Sequence, residues 1–163
     1  MDSELITGLG GILAGTIGYY IVNRYLEKKR ESLSTKRDQL QCVYGPLEVL
    51  MKMNKREFER YFASGTTAEY QLYIEQNVWY PNNKEIRRII MEKSHLLHEI
   101  PEAFLELLTH INVFLTEYDM EYNKKMKNLP VVTGTDVYRY PESIDEFIFG
   151  KADNLRRELN IKG

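Results

Sequence analysis

A chain of 163 residues holds one domain with a short appendage rather than two full domains. A net charge of -2 excludes a globally basic nucleic-acid binder and leaves room only for a local patch. Apolar residues at 43% exclude a wholly disordered chain, and the single cysteine, Cys42, excludes an intrachain disulfide and a cysteine-based zinc site.

The first feature along the chain is Leu5 to Val22, LITGLGGILAGTIGYYIV, 18 residues without a charge. As a helix this run spans about 27 Å, close to the hydrocarbon thickness of a bilayer. A cleaved signal peptide would begin with a positive region and end in a small-residue cleavage site. Here Asp2 and Glu4 lead, and Tyr19-Tyr20-Ile21-Val22-Asn23-Arg24 closes the run. A buried core helix would be shorter or broken by charge. The expectation is a transmembrane helix over 1–23. Arg24, Lys28, Lys29 and Arg30 follow it, so the positive-inside rule puts the remainder on the cytoplasmic side of a bacterial inner membrane, as a single-pass protein. Tyr19 and Tyr20 stand where an interfacial aromatic belt belongs, and a free Cys42 suits a reducing compartment.

The glycines of this run cluster on one side. At 100° per residue, Gly8, Gly11, Gly15 and Gly18 fall within an arc of about 80°, extended by Thr7 and Ala14. Gly11 and Gly15 make a GxxxG pair, and small residues let helix backbones approach closely. With one span in the chain, that face must meet another chain, so a homo-oligomer in contact with membrane lipid is expected.

Residues 24–44 read as a charged connecting helix, with Glu27 and Glu31 at i,i+4 among cations. Residues 45–163 read as a cytoplasmic helical domain. Gly45-Pro46 predicts a kink or break near Tyr44. Leu47, Leu50, Met51, Phe58, Tyr61 and Phe62 then form an apolar stripe up to Ser64-Gly65. A further segment covers about 67–79 and is expected to end at Pro81-Asn82-Asn83. Asn82 or Asn83 caps a helix from Lys84 to about Glu99, with Ile86, Ile89, Ile90, Leu96, Leu97 and Ile100 inward. Pro101 opens the next helix, where Phe104, Leu108, Ile111, Leu115, Tyr118 and Tyr122 make a core-facing seam. A loop or short extended piece is expected near 125–140. A last helix over 142–160 turns Ile144, Phe147, Ile148 and Leu155 inward. The fold class is all-α: an N-terminal transmembrane helix followed by a cytoplasmic helical bundle.

No phosphate loop, dinucleotide fingerprint, HExxH or nucleophile elbow is present. His95 and His98 at i,i+3 lack completing ligands, so neither a metal nor a cofactor is expected. Tyr44, Tyr70, Tyr73, Trp79 and Tyr80 suit base stacking, but such spacings more often serve packing. The best catalytic candidates are Arg88 and His95. They lie seven apart on the helix face opposite Ile86, Ile90 and Leu97. A histidine there would act as acid or base and an arginine would hold a phosphate. The plainer reading, two polar residues on a solvated face, is preferred.

The Arg88 to His95 spacing resembles the R-x4-6-H motif of the HEPN ribonuclease superfamily, with Ile89 where that family carries a polar residue. Together with the single span and positive flank, the chain resembles the small membrane accessory proteins of type VI-B CRISPR loci. The YGPL segment at Tyr44 to Leu47 and the WYPNN segment at Trp79 to Asn83 are equally similar to those of uncharacterised bacterial one-span helical proteins. The resemblance implies a HEPN-like helical fold, a multimeric ring or pore, membrane depolarisation in antiviral defence, and an RNA-guided RNA-cutting effector, or its RNA product, as partner. Three functions follow: an oligomeric membrane effector, which is the reading preferred; a membrane-tethered HEPN ribonuclease; or a non-catalytic anchored scaffold or sensor.

Overall fold

The computed structural model describes residues 2–63, 67–123, 140 and 142–161. Among them every regular element is helical: α1 (Asp2–Gln39), α2 (Gly45–Ala63), α3 (Ala68–Ile74), α4 (Tyr80–Lys93), α5 (Glu102–Tyr118) and α6 (Glu142–Glu158). The all-α expectation stands. The chain divides into two compact units, Met1–Arg37 and Asp38–Gly163.

The transmembrane assignment is corrected. Among the described residues no helix is long and apolar enough to cross a membrane. The side chains described in α1 begin at Gly18. Further back, five glycines dilute the run Leu5 to Val22, and glycine has no side chain to take out of water. The uncharged run is instead the opening of one continuous 38-residue helix whose later turns are heavily charged. Of the small-residue arc, Thr7, Gly8, Gly11, Ala14 and Gly15 have side-chain positions outside the described residues. Gly18 is described, and a side chain there would meet open space.

The second unit is a helical bundle around one core. Leu40, Val43, Tyr44, Leu47 and Met51 meet Ile86, Ile89 and Ile90 of α4, Phe104, Leu107, Ile111 and Leu115 of α5, and Ile144, Ile148, Ala152 and Leu155 of α6. The apolar stripes over 84–97, 104–118 and 144–155 therefore face inward as their 3.6-residue period requires. Phe58, expected inward, is 52% exposed and packs instead on Trp79 at 6.3 Å. Ile100 is also exposed.

Two expected breaks are absent, for one physical reason. A π-helical turn over Leu40–Tyr44 joins α1 to α2, and another over Glu75–Trp79 joins α3 to α4. Gly45 N–H reaches back to Leu40 O, and Tyr80 N–H to Glu75 O. Each turn ends two residues before a proline, Pro46 or Pro81. Proline brings no N–H and pushes on the carbonyl four residues back. The widened turn shifts that carbonyl's register and absorbs the proline without a break. Gly45 is needed for it, because a Cβ there would sit 2.7 Å from Leu40 O. Asn82 and Asn83 consequently do not cap a helix. They bind Asn54 of α2, Asn82 at 2.8 Å and Asn83 at 3.3 Å.

α4 ends at Lys93 in a single 3-10 turn, Ser94–Leu96, well short of Glu99. Gln39, almost fully buried, donates to Leu96 O at 2.8 Å and pins that turn. α5 follows Pro101, whose extended backbone serves as its N-cap. A third π-helical turn, Asp119–Asn123, continues α5. The loop or extended piece expected near 125–140 falls on 124–139, outside the described residues.

Candidate functional site

Arg88 and His95 come from different local structures. Arg88 sits in the last two turns of α4 and is exposed; His95 sits beyond the helix, in the 3-10 turn. The continuous helix face expected for the pair is therefore broken between them.

Arg88 is fully engaged within its own helix. Its Nε and Nη2 donate to Glu85 at 2.7 and 2.6 Å, and its Nη1 donates to Glu92 at 2.5 Å. The bond from Arg88 holds the Glu85 carboxyl below the usual carboxylate range. The two glutamates likewise push the guanidinium further up, so it stays a cation. The three side chains together carry a net charge of -1. A phosphate approaching Arg88 must displace a carboxylate that is already bonded.

His95 Nδ1 lies 2.9 Å from Glu92 O. A backbone carbonyl only accepts, so this nitrogen is the donor and Nε2 is left as the basic lone pair toward solvent. The geometry supplies an exposed base without the cation that phosphodiester cleavage requires. Glu85 and Glu92, missing from the motif reading, stand three before and four after Arg88. The i,i+3 and i,i+4 rule finds them in the sequence.

The aromatic cluster serves packing. Tyr44 is buried between Phe104, at 5.9 Å, and Phe147, at 6.5 Å. Trp79 donates its indole N–H to Asn54 O at 3.3 Å. Tyr80 stacks on Tyr118 at 4.3 Å and donates its hydroxyl to Asp119 at 2.7 Å, while Tyr118 stacks on Tyr122 at 4.8 Å. Tyr122 donates to Glu75 at 3.3 Å, closing the ladder on the second π-helical turn. Tyr73 remains exposed. Among the described residues no group of three or more His, Cys, Asp or Glu side chains is placed to hold a metal ion.

In the first unit, Tyr19, Tyr20, Ile21, Val22, Tyr25 and Leu26 are all exposed. Four of these are consecutive, so the apolar belt runs round the whole circumference of α1 rather than along one stripe. Arg24 lies within it, and Lys28, Lys29 and Arg30 follow, all exposed.

No protein family, curated protein or solved structure matches this chain. The fold defines its class, an all-helical domain preceded by a long helix.

Proposed function

We propose that this chain is a non-catalytic, self-assembling effector that works at the cytoplasmic face of the bacterial inner membrane, with α1 as the assembling and lipid-contacting element. The observation that carries the reading is the exposed belt from Tyr19 to Leu26, with Tyr19 at 72% and Tyr20 at 66% exposure, set beside four cations. A contiguous apolar belt on a helix needs a partner. Tyrosines at headgroup depth and adjacent lysines and arginines suit an anionic lipid surface. The arc of Gly8, Gly11, Gly15 and Gly18 is the proposed contact face between copies. The resemblance adds the context, an accessory to an RNA-guided RNA-cutting effector, which phage plating with the effector alone and with both proteins would test.

The test combines light scattering of the full chain with flotation on anionic and zwitterionic vesicles. Changing Lys28, Lys29 and Arg30 to Gln is expected to weaken binding to anionic vesicles roughly a hundredfold, at about 1 kcal/mol per cation. Gly11→Leu with Gly15→Leu is expected to reduce the oligomer. Equal binding to both vesicle types would sink the lipid role, and an unchanged oligomer would sink the glycine face.

The ribonuclease reading receives the opposite expectation. Purified protein should leave single-stranded RNA intact, and Arg88→Ala with His95→Ala should leave the biological activity unchanged, because Glu85 and Glu92 already neutralise Arg88. RNA cleavage by the wild type that vanishes in the double variant would restore the nuclease.

A further inference from the structure

Apart from α1 and from Arg88, one group of titratable side chains is left without a role. His110 of α5 has its Nδ1 shielded from water with no hydrogen-bond partner among the described residues. Its ring meets the ring of Tyr140 edge to face, with centroids 5.5 Å apart and planes at 85°. Tyr140 in turn donates its hydroxyl to Asp145 Oδ1 of α6 at 2.6 Å. The other oxygen of Asp145 accepts from Lys55 of α2 at 3.1 Å. Side chains of α5 and α6 thus meet at Tyr140, a residue that belongs to neither helix, and Lys55 ties α2 to the same Asp145.

We propose that His110 and Tyr140 form a proton-operated catch, closed when His110 is neutral and opened by its protonation. A neutral imidazole tolerates one bare nitrogen in an apolar wall. An imidazolium has two N–H donors and a charge, and an unpaired buried charge costs far more than an unpaired neutral atom. Asp145, which accepts from Tyr140, is already committed to Tyr140 and Lys55. Glu106, one turn back on α5, is exposed. Among the described residues no charged neighbour offsets the cost, and burial draws the His110 titration downward. The structure relieves the charge by letting water reach Nδ1, and the movable wall is Tyr140, a single ring 39% exposed. Helices α5 and α6 are packed through Phe104, Ile111, Ile144 and Ile148 and do not part.

The sign follows from linkage. The unfolded chain binds the His110 proton more readily than the folded one, so the closed fold loses stability as pH falls through about 6.5 toward the lower folded value.

The experiment is NMR of the full chain from pH 8 to 5, a range above ordinary carboxylate titration. The ring signals of His110 and Tyr140 are expected to move together, and the ring-to-ring Overhauser effect to disappear at the acid end. In His110→Gln, neutral at every pH, the Tyr140 signals should stay fixed, and the acid-side drop in Tm should shrink. Tyr140→Phe, which keeps the ring and loses the bond to Asp145, should open more easily and move the His110 midpoint up toward 6.5, and it decides the matter if His110→Gln fails to fold. A His110 ring that titrates while the Tyr140 signals stay in place would overturn the catch.

Discussion

Phe104→Ala is expected to lower the unfolding free energy by about 4 kcal/mol, measured by urea denaturation followed by circular dichroism. The ring is fully buried. It lies 5.9 Å from Tyr44, in the π-helical turn that opens the second unit, and 5.9 Å edge-on from Phe147 of α6. One side chain thus joins three of the four helical segments that make the bundle. Truncation removes the transfer free energy of an aromatic side chain and leaves a cavity between rigid helices that cannot close upon it. The contrast is Phe58→Ala. That ring is half in water beside Trp79, so its loss should cost far less, about 1 kcal/mol. Equal losses at the two positions would mean that the bundle is not centred on Phe104.

The same comparison shows what could be read from the sequence. The stripes of α4, α5 and α6 were legible because helical periodicity and burial follow one rule, and Ile86, Ile90, Phe104, Ile111, Ile144 and Leu155 obey it. Phe58 matched the stripe in type and spacing but not in place, since α2 runs beyond the core at that point. The junctions at Pro46 and Pro81 were not legible. A proline signals a break on local grounds, and whether a widened turn absorbs it depends on packing at Leu40 to Tyr44 and on the Asn54–Asn82 contact, which lie elsewhere in the chain.

For the candidate residues the balance differs. Arg88 and His95 could be named from spacing, and the glutamates that disarm Arg88 were visible at helical offsets beside it. That His95 lies past the helix end was hidden, because the turn at Ser94–Leu96 is fixed by Gln39, more than fifty residues away. His110 was visible only as one of three histidines. Its meaning comes from Tyr140, on the far side of a thirty-residue separation that no local pattern bridges.

Arg156→Ala is expected to cost about 3 kcal/mol, and the loss should depend on pH. Glu48 of α2 is 5% exposed, unusually deep for a carboxylate. It accepts a short, charge-assisted bond from Arg156 of α6 and another from Lys52 at 2.6 Å. Arg156 is braced by Asp153 at 2.8 Å. Burial works against ionisation of Glu48, but the bonds from Arg156 and Lys52 outweigh it and hold the carboxyl below the usual range. Without Arg156 a nearly buried charge keeps, among the described residues, a lysine that is itself half in water. Breaking such a pair costs about 3–5 kcal/mol, and the 26% exposure of Arg156 places this one at the lower end. A carboxyl held low in the folded state stabilises the fold above its unfolded value near 4.3, and that contribution is lost as pH falls through the folded value. The gap between wild type and Arg156→Ala should therefore be full at pH 7 and narrow below about pH 4. A gap of the same size at pH 3 would mean that the arginine acts through its aliphatic packing rather than its charge. The double variant Glu48→Met with Arg156→Leu separates the two further. It removes both charges and fills the space, so it should recover most of the stability lost in the single variant and lose the pH dependence with it.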